Sequence, residues 1–506
     1  MSKYIFQEKQ KIFFRIIFLK MSVYIPLKYL TSDNQKDIAK KLHIKDSTFV
    51  FNKNAFSGED NTKSISCLNV VNGMAMLPYR FVCDYFKTTL PNKKIANING
   101  NNECIGGCSG KEERVERELI EPFKMNPNFK LFDYQQEVID KSINYLETNG
   151  TSVFNVYCSF GKTVCAIYLA QYVAEKYKYL TLVTYPRDVI GRSFIGTAKS
   201  LTNAKYAIVG ESKDDEIYDA QIIFCMNTRL HNLPQAIIDK VGYLIIDEAH
   251  MFCTQNYISS LLAFQPMYIT ALTATYERTD GFHKAMDLIV GTEKIIKISK
   301  KPFFAFFFHT EIQPTDVSYT SRGVSMQSII KSLDLNDERN EIIYKMVMYN
   351  LDEKILILTK HIEHVKVLQA EIKKRVEPFG KTVSILCGNV KSYDDADIII
   401  GTISKTGVGY DEKESCHDWK GRRINLLILC STLKSIEQIA GRVFRSELPV
   451  IFDLVDDHKN LLQHKSLRKK WYSSRNGIVK TSDHYFCWKK EFPKYADDYM
   501  KAINSK

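Results

Sequence analysis

Asn155-Val156-Tyr157-Cys158-Ser159-Phe160-Gly161-Lys162-Thr163 is the stretch around which the chain is organised. An apolar run from Ser152 to Tyr157 precedes the loop and reads as a buried strand, and Val164 to Tyr177 reads as a helix. Strand, tight loop, Gly-Lys-Thr and helix form the layout of a phosphate-binding loop. Backbone N–H groups at a helix start point at an anion, and the helix dipole favours negative charge there. Gly161 allows close approach of the backbone. In this reading Ser159, Phe160 and Gly161 cradle the phosphates, Lys162 reaches the β- and γ-phosphates, and the Thr163 hydroxyl faces Mg²⁺. An ordinary strand-to-helix turn has the same outline. Val156 also stands where the strict pattern has a Gly, so the downstream sequence has to decide.

Val241 to Ile246 is an apolar strand ending in Asp247-Glu248-Ala249-His250. Ligands of an open parallel sheet sit at the carboxyl ends of its strands. Asp247 is therefore expected to face Lys162 and hold Mg²⁺, and Glu248 to orient and deprotonate a water. His250 would sense the nucleotide. A capped helix start could carry the same four residues. Following a strand, about 85 residues after the Gly-Lys-Thr, the functional reading is the stronger. Thr273-Ala274-Thr275 ends another apolar strand. Gln135, within Leu131-Phe132-Asp133-Tyr134-Gln135, offers an amide suited to the adenine edge, which favours ATP over GTP.

Further on, Ile400-Gly401-Thr402 leads into Lys405-Thr406-Gly407-Val408-Gly409-Tyr410-Asp411. Gly409 shapes a turn there, and Asp411 is a candidate for a ribose hydroxyl. Gln438-Ile439-Ala440-Gly441-Arg442-Val443-Phe444-Arg445 reads as a helix with Arg442 and Arg445 on one face. The pair reads either as surface charge or as arginine fingers on a phosphoryl group.

The rest of the chain fits around these motifs. Its 506 residues suit three to four domains, and 45% hydrophobic with 25% charged residues is a globular composition. A net charge of +12 favours a polyanionic partner. Cys158, Cys165, Cys225 and Cys430 fall inside apolar patterns, as buried thiols in a reducing compartment do. No apolar run approaches the roughly 20 residues of a membrane span. Ile12 to Leu19 is apolar but short and interrupted by Arg15, so a secretory signal is not expected, and Met21 is an alternative start. Cys104 and Cys108, in an Asn- and Gly-rich loop, are half a metal site at most, with Cys67 and Cys83 as the remaining candidates and thiols in a loop as the plainer reading.

Two alternating strand–helix series, broken near Ser299 to Pro314, predict an α/β fold with two parallel sheets facing each other. The predicted domains are an α+β accessory domain over 1–125, sheet domains over 126–305 and 306–457, and a basic, aromatic, helical tail over 458–506. The tail, with Arg468-Lys469-Lys470-Trp471-Tyr472 and Arg475, reads as a solvated basic face or a nucleic-acid contact.

Taken in order and at these distances, the motifs resemble superfamily 2 helicases over about residues 126 to 455. Within them the chain is similar to helicases of large cytoplasmic DNA viruses, the poxvirus transcript-release DNA helicase with its African swine fever virus and iridovirus relatives, and to those of cytoplasmic linear plasmids. The resemblance implies two tandem RecA-like domains behind a small α+β amino-terminal domain. It implies ATP and Mg²⁺ as cofactors, and an ATP-driven motor on nucleic acid, with DNA favoured over RNA. RNA polymerase or the replication machinery would be its partners, and the host cytoplasm or the virion its location. Gripping groups are expected over Thr184 to Arg192, Asn227 to Arg229 and at Thr359-Lys360. An RNA helicase, a duplex-DNA translocase that does not unwind, and a non-hydrolysing scaffold are the rivals. The chain departs from the family at Ser159 for Gly, Tyr276 for Pro after Thr-Ala-Thr, and Phe444 for Gly or Cys.

Overall fold

The computed structural model describes residues 22–47, 63–71, 73–85, 118–264, 266–278, 280–320, 323–390, 392–406 and 412–505. Cys104, Cys108, Gly409 and Asp411 lie outside the described residues.

The first compact unit ends at Lys297 and holds a seven-stranded sheet. Its strands are β1 (Thr151–Val156), β2 (Leu180–Tyr185), β3 (Tyr206–Ile208), β4 (Ile222–Met226), β5 (Val241–Asp247), β6 (Tyr268–Thr273) and β7 (Ile295–Lys297). They lie in the order β7-β1-β6-β5-β2-β4-β3, and every pairing is parallel. Continuous apolar runs form the middle strands because helices cover both faces: all seven residues of β5 are buried. Helix α1 (Asp133–Asn149) leads into β1, and α2 (Lys162–Tyr177) leaves it.

The amino-terminal segment packs on this unit. Ser22–Pro26 and Asn69–Val71 pair antiparallel with Met74–Pro78. The helix Ser32–Leu42 is capped by Thr31, whose side chain accepts from the Asn34 N–H. Among the described residues, backbone and side-chain hydrogen bonds help to dock the segment. The Ser47 N–H donates to the Asp280 carbonyl at 2.9 Å. The Gln255 side chain accepts from the Ser66 N–H at 2.7 Å and donates to its carbonyl at 3.1 Å.

The second unit, from Ile298, holds another seven-stranded sheet. Its strands are β8 (Phe303–His309), β9 (Ile355–Thr359), β10 (Val383–Leu386), β11 (Ile398–Thr402), β12 (Leu426–Leu429), β13 (Val450–Val455) and β14 (Gly477–Ser482). The order is β10-β11-β9-β12-β13-β8-β14, again all parallel. Two expectations are corrected here. The stretch read as a break contains β8, an internal strand whose five phenylalanines are buried on both faces. The tail read as helical contributes β14, an edge strand, between α3 (Lys459–Ser474) and α4 (Trp488–Asn504). Among the described residues no helix is long and apolar enough to cross a membrane, and no cluster of three or more metal-ligating side chains occurs. Cys165, Cys225 and Cys430 are buried and Cys158 half-buried. Burial pushes the first three thiols up to about 12.

Candidate nucleotide site

Strands β1, β6 and β5 are neighbours, so their carboxyl ends meet at one edge of the first sheet. Asp247 pairs in register with Leu272, and Thr273 with Asn155. The loop after β1, the Asp247-Glu248 pair and Thr273 thus occupy three adjacent strand ends.

Gly161 caps α2 with a φ of +94°. A Cβ there would meet the left-handed penalty and collide with Gln135 Nε2. Gln135 is buried. Its Oε1 accepts from the Phe132 N–H at 3.1 Å, and its Nε2 donates to the Phe160 carbonyl at 3.0 Å. The observed work of this amide is to fix the loop. One N–H and one acceptor site remain for a base. Ser159 stands at φ +72°, a left-handed position where the family has Gly.

Asp247 and Glu248 are 6% and 9% exposed, and Asp247 Oδ1 and Glu248 Oε2 have no hydrogen-bond partner. Burial first, then the neighbouring Glu248 charge, pushes Asp247 up to about 7, while Lys162 opposes the shift. Two buried carboxylates with unsatisfied oxygens beside one lysine form an oxygen donor set that fits a hard divalent cation. Glu248 also adopts a left-handed φ of +48°, strain of the kind stored at working sites.

His250 Nδ1 lies 3.0 Å from Thr273 Oγ1, which accepts from the Thr275 N–H at 3.0 Å. It lies 3.4 Å from Glu248 Oε2. Burial holds the imidazole below its usual range, against the pull of Glu248. Arg278 Nη1 donates to the His250 carbonyl at 2.8 Å, and its guanidinium forks onto Asp280 at 2.9 and 2.6 Å. Arg278 and Asp280 were missed as site residues. Only their place shortly after Thr-Ala-Thr marks them in the sequence. Tyr276, in the place of Pro, is buried, donates to Asp287 at 2.8 Å and lies under Lys294.

In the second unit the arginine-bearing helix, α5, is short. It spans Glu437–Val443 and is capped by Phe444. Arg442 is on it, buried, with Nε donating to the Thr406 carbonyl at 3.2 Å. Arg445 lies in the turn beyond, so the expectation of one shared helical face is corrected. The Ser446 N–H to Val443 carbonyl bond closes that turn and ends the helix.

The expected gripping groups divide. Thr359 is fully buried with its hydroxyl 2.7 Å from His364 Nδ1, which removes it from any surface. Arg192 is paired with Glu211, and Arg229 donates to the Val209 carbonyl. Thr184 Oγ1 and Asn227 Oδ1, by contrast, are buried without partners next to the carboxyl ends of β2 and β4. An open cavity of about 370 Å³ in the second unit is lined by Lys360, His361, Thr402, Ser404 and Lys405.

A lysine at a helix start facing strand-end carboxylates on a parallel sheet, with a second such sheet in the same chain, defines a phosphate-loop ATPase of tandem RecA-like build. The family described as "Type III restriction enzyme, res subunit" matches residues 128–278. A protein of Invertebrate iridescent virus 6 designated helicase 161L is 28% identical over 377 residues, 69% of this chain and 82% of its own length. A mimivirus protein designated an ATP-dependent RNA helicase is 24% identical over 67% of this chain and 66% of its own. The solved structure of phage T4 UvsW aligns with 92% of this chain and 99% of its own, at 18% identity and a TM-score of 0.38. The chain belongs to the superfamily 2 helicases and is an ATP-dependent enzyme of that family.

Proposed function

We propose that this chain is a nucleic-acid motor that hydrolyses Mg·ATP at the edge of its first sheet and acts on DNA in viral or plasmid transcription, replication or repair. The observation that carries the proposal is the pair of buried, unsatisfied carboxylates, Asp247 and Glu248, beside the Lys162 helix start. Thr163 and Asp247 would hold Mg²⁺, which when bound neutralises charge on the phosphoryl oxygens. The backbone of Ser159 to Thr163 binds phosphate, and Lys162 adds positive charge. Gln135 fixes the loop and offers its remaining groups to adenine. Glu248 orients the attacking water and takes its proton, which its unpaired oxygen suits. His250, tied to Thr273, links that base to the end of β6. Arg442 and Arg445 have the arginine-finger role implied by their motif. Gly409 and Asp411 would touch the ribose.

Binding is mainly to phosphates, with little sequence preference. Lys360 and Lys405, beside the second-unit cavity, are the groups suited to it. DNA is preferred to RNA on the viral resemblance, and the RNA in the mimivirus relative's name is the reason to test both. Transcript release with an RNA polymerase, in the host cytoplasm or from the virion, is the biological setting the resemblance implies.

The test is steady-state ATP hydrolysis by the whole chain, alone and with single-stranded DNA, duplex DNA or RNA, beside Lys162→Ala and Glu248→Gln. Stimulation by DNA that both substitutions abolish is the expected result. Stimulation by RNA alone makes it an RNA helicase. Hydrolysis on duplex DNA without strand separation makes it a translocase. Binding without any hydrolysis leaves a scaffold.

A further inference from the structure

The tail after the last helicase motif is locked into the second unit by a buried network. Arg468 forks onto Asp453 at 2.7 and 2.8 Å, and the Tyr472 hydroxyl donates to the same carboxylate at 2.9 Å. This network fixes the last turn of α3, and that turn presents Trp471 and, just past the helix, Arg475.

Both of these side chains reach α5. Trp471 Nε1 donates to Glu437 Oε2 at 3.3 Å, and Arg475 Nη2 donates to both Glu437 oxygens at 3.1 Å. Glu437 is the first residue of α5 and is 9% exposed. At the other end, the Phe444 ring lies parallel to the Trp471 indole, 6.3 Å away at 11°, and packs on Phe303 at 4.8 Å. Lys301 Nζ donates to the Phe444 and Ser446 carbonyls. Two tail side chains therefore hold the amino end of the helix, and one of them also stacks on its carboxyl cap.

A seven-residue helix with Gly441 inside it has little stability of its own. Its orientation comes from its anchors, and its first turn depends on a buried carboxylate that needs a cation. Phe444, which departs from the family pattern, is explained by the ring it stacks on.

We infer that Trp471 and Arg475 are positioning residues for Arg442: through Glu437 and Phe444 they fix the short helix that carries it, so that the carboxyl-terminal tail sets the rate of ATP hydrolysis. Neither residue is placed on the substrate. The inference rests on reading Arg442 as part of the hydrolytic machinery, and the experiment separates the two.

Steady-state hydrolysis is measured on the whole chain with and without oligo-dT, for wild type, Arg442→Ala, Arg475→Ala, Arg475→Lys and Trp471→Phe. Displacement of a catalytic group by about 1 Å costs up to about a hundredfold. Arg475→Ala should therefore lower kcat by about ten- to a hundredfold, with KM for ATP within about twofold of wild type. Arg475→Lys keeps a cation beside Glu437 but not the planar guanidinium, so it should recover part of the rate. Trp471→Phe keeps the stack and loses the N–H, so it should fall between. Wild-type kcat in Arg475→Ala, with Arg442→Ala inactive, overturns the inference and leaves the reading of Arg442 standing. Wild-type kcat in Arg442→Ala overturns that reading and the inference with it. A fall in kcat that Arg475→Lys does not relieve, accompanied by a lowered melting midpoint in both, marks a general loss of packing and also overturns it.

Discussion

Gly161 and Asp247 show what single residues contribute to this site. Gly161 combines a left-handed φ with a neighbour, Gln135 Nε2, that fills the space a Cβ would take. Gly161→Ala should cost about 1–2 kcal/mol from backbone strain alone and push Gln135 off the Phe160 carbonyl. The expected readout is a lowered melting midpoint with ATP hydrolysis lost, and a fully active variant would refute the close fit. Asp247 gives a pH dependence. Its folded pKa lies above the ordinary 3.8, at about 7. Between those values the folded state keeps a proton that the unfolded chain has lost, so this group's contribution falls as pH rises through the window. In metal-free, nucleotide-free protein, stability from this group should decline from pH 4 toward pH 7 and level off above. Under the proposed function Mg·ATP would bind the charged carboxylate, so its stabilisation should grow with pH over the same window. Melting curves with and without Mg·ATP check both signs.

At the scale of elements, a buried ion pair seats α3. Arg468 and Asp453 are 1% and 0% exposed and meet in a bidentate pair. Removing one partner of such a pair costs about 3–5 kcal/mol, because the other charge stays buried. Arg468→Ala should therefore lower the melting midpoint sharply. The double variant Arg468→Met, Asp453→Leu should recover most of the loss, since neither charge is then buried alone. Failure of the double variant to recover would show that the bonds of Arg468 to Thr432 and the Leu433 carbonyl dominate. Element boundaries followed the pattern where a strand was apolar and buried throughout: β5 stands where the run from Val241 to Ile246 predicted it. The pattern failed at β8, since an apolar run beside Pro302 and Pro314 reads equally well as a break. It failed again at β14, whose half-buried edge position leaves a polar, mixed sequence.

For the whole molecule, the net charge of +12 is unevenly spread. Asp456 to Lys506 carries twelve Lys and Arg against six Asp and Glu. Binding that neutralises phosphates releases counterions, so affinity for single-stranded DNA should fall linearly on a log–log plot against salt, with a slope of about −0.7 per phosphate contacted. A slope near zero would argue against a backbone-gripping motor. Not every tail cation is available for such contacts. Arg468 and Arg475 are committed to carboxylates inside the second unit, and Lys480 pairs with Asp498. The charge that composition offers to a polyanion is partly spent on holding the fold.

The amino-acid sequence by itself determined the fold class, because buried parallel strands must be apolar along their whole length and the helices between them amphipathic. It also singled out candidates for phosphate and metal chemistry, Gly161, Lys162, Thr163, Asp247 and Glu248, because those residue types at those spacings suit it. Only the tertiary structure decided what these residues lean on. That Gln135 fixes the loop, that Arg278 and Asp280 hold the backbone of His250, and that Trp471 and Arg475 hold Glu437 are contacts between segments distant in the chain. Contacts of that kind leave no periodicity. They arise when packing brings a buried donor to a buried acceptor that would otherwise go unpaired.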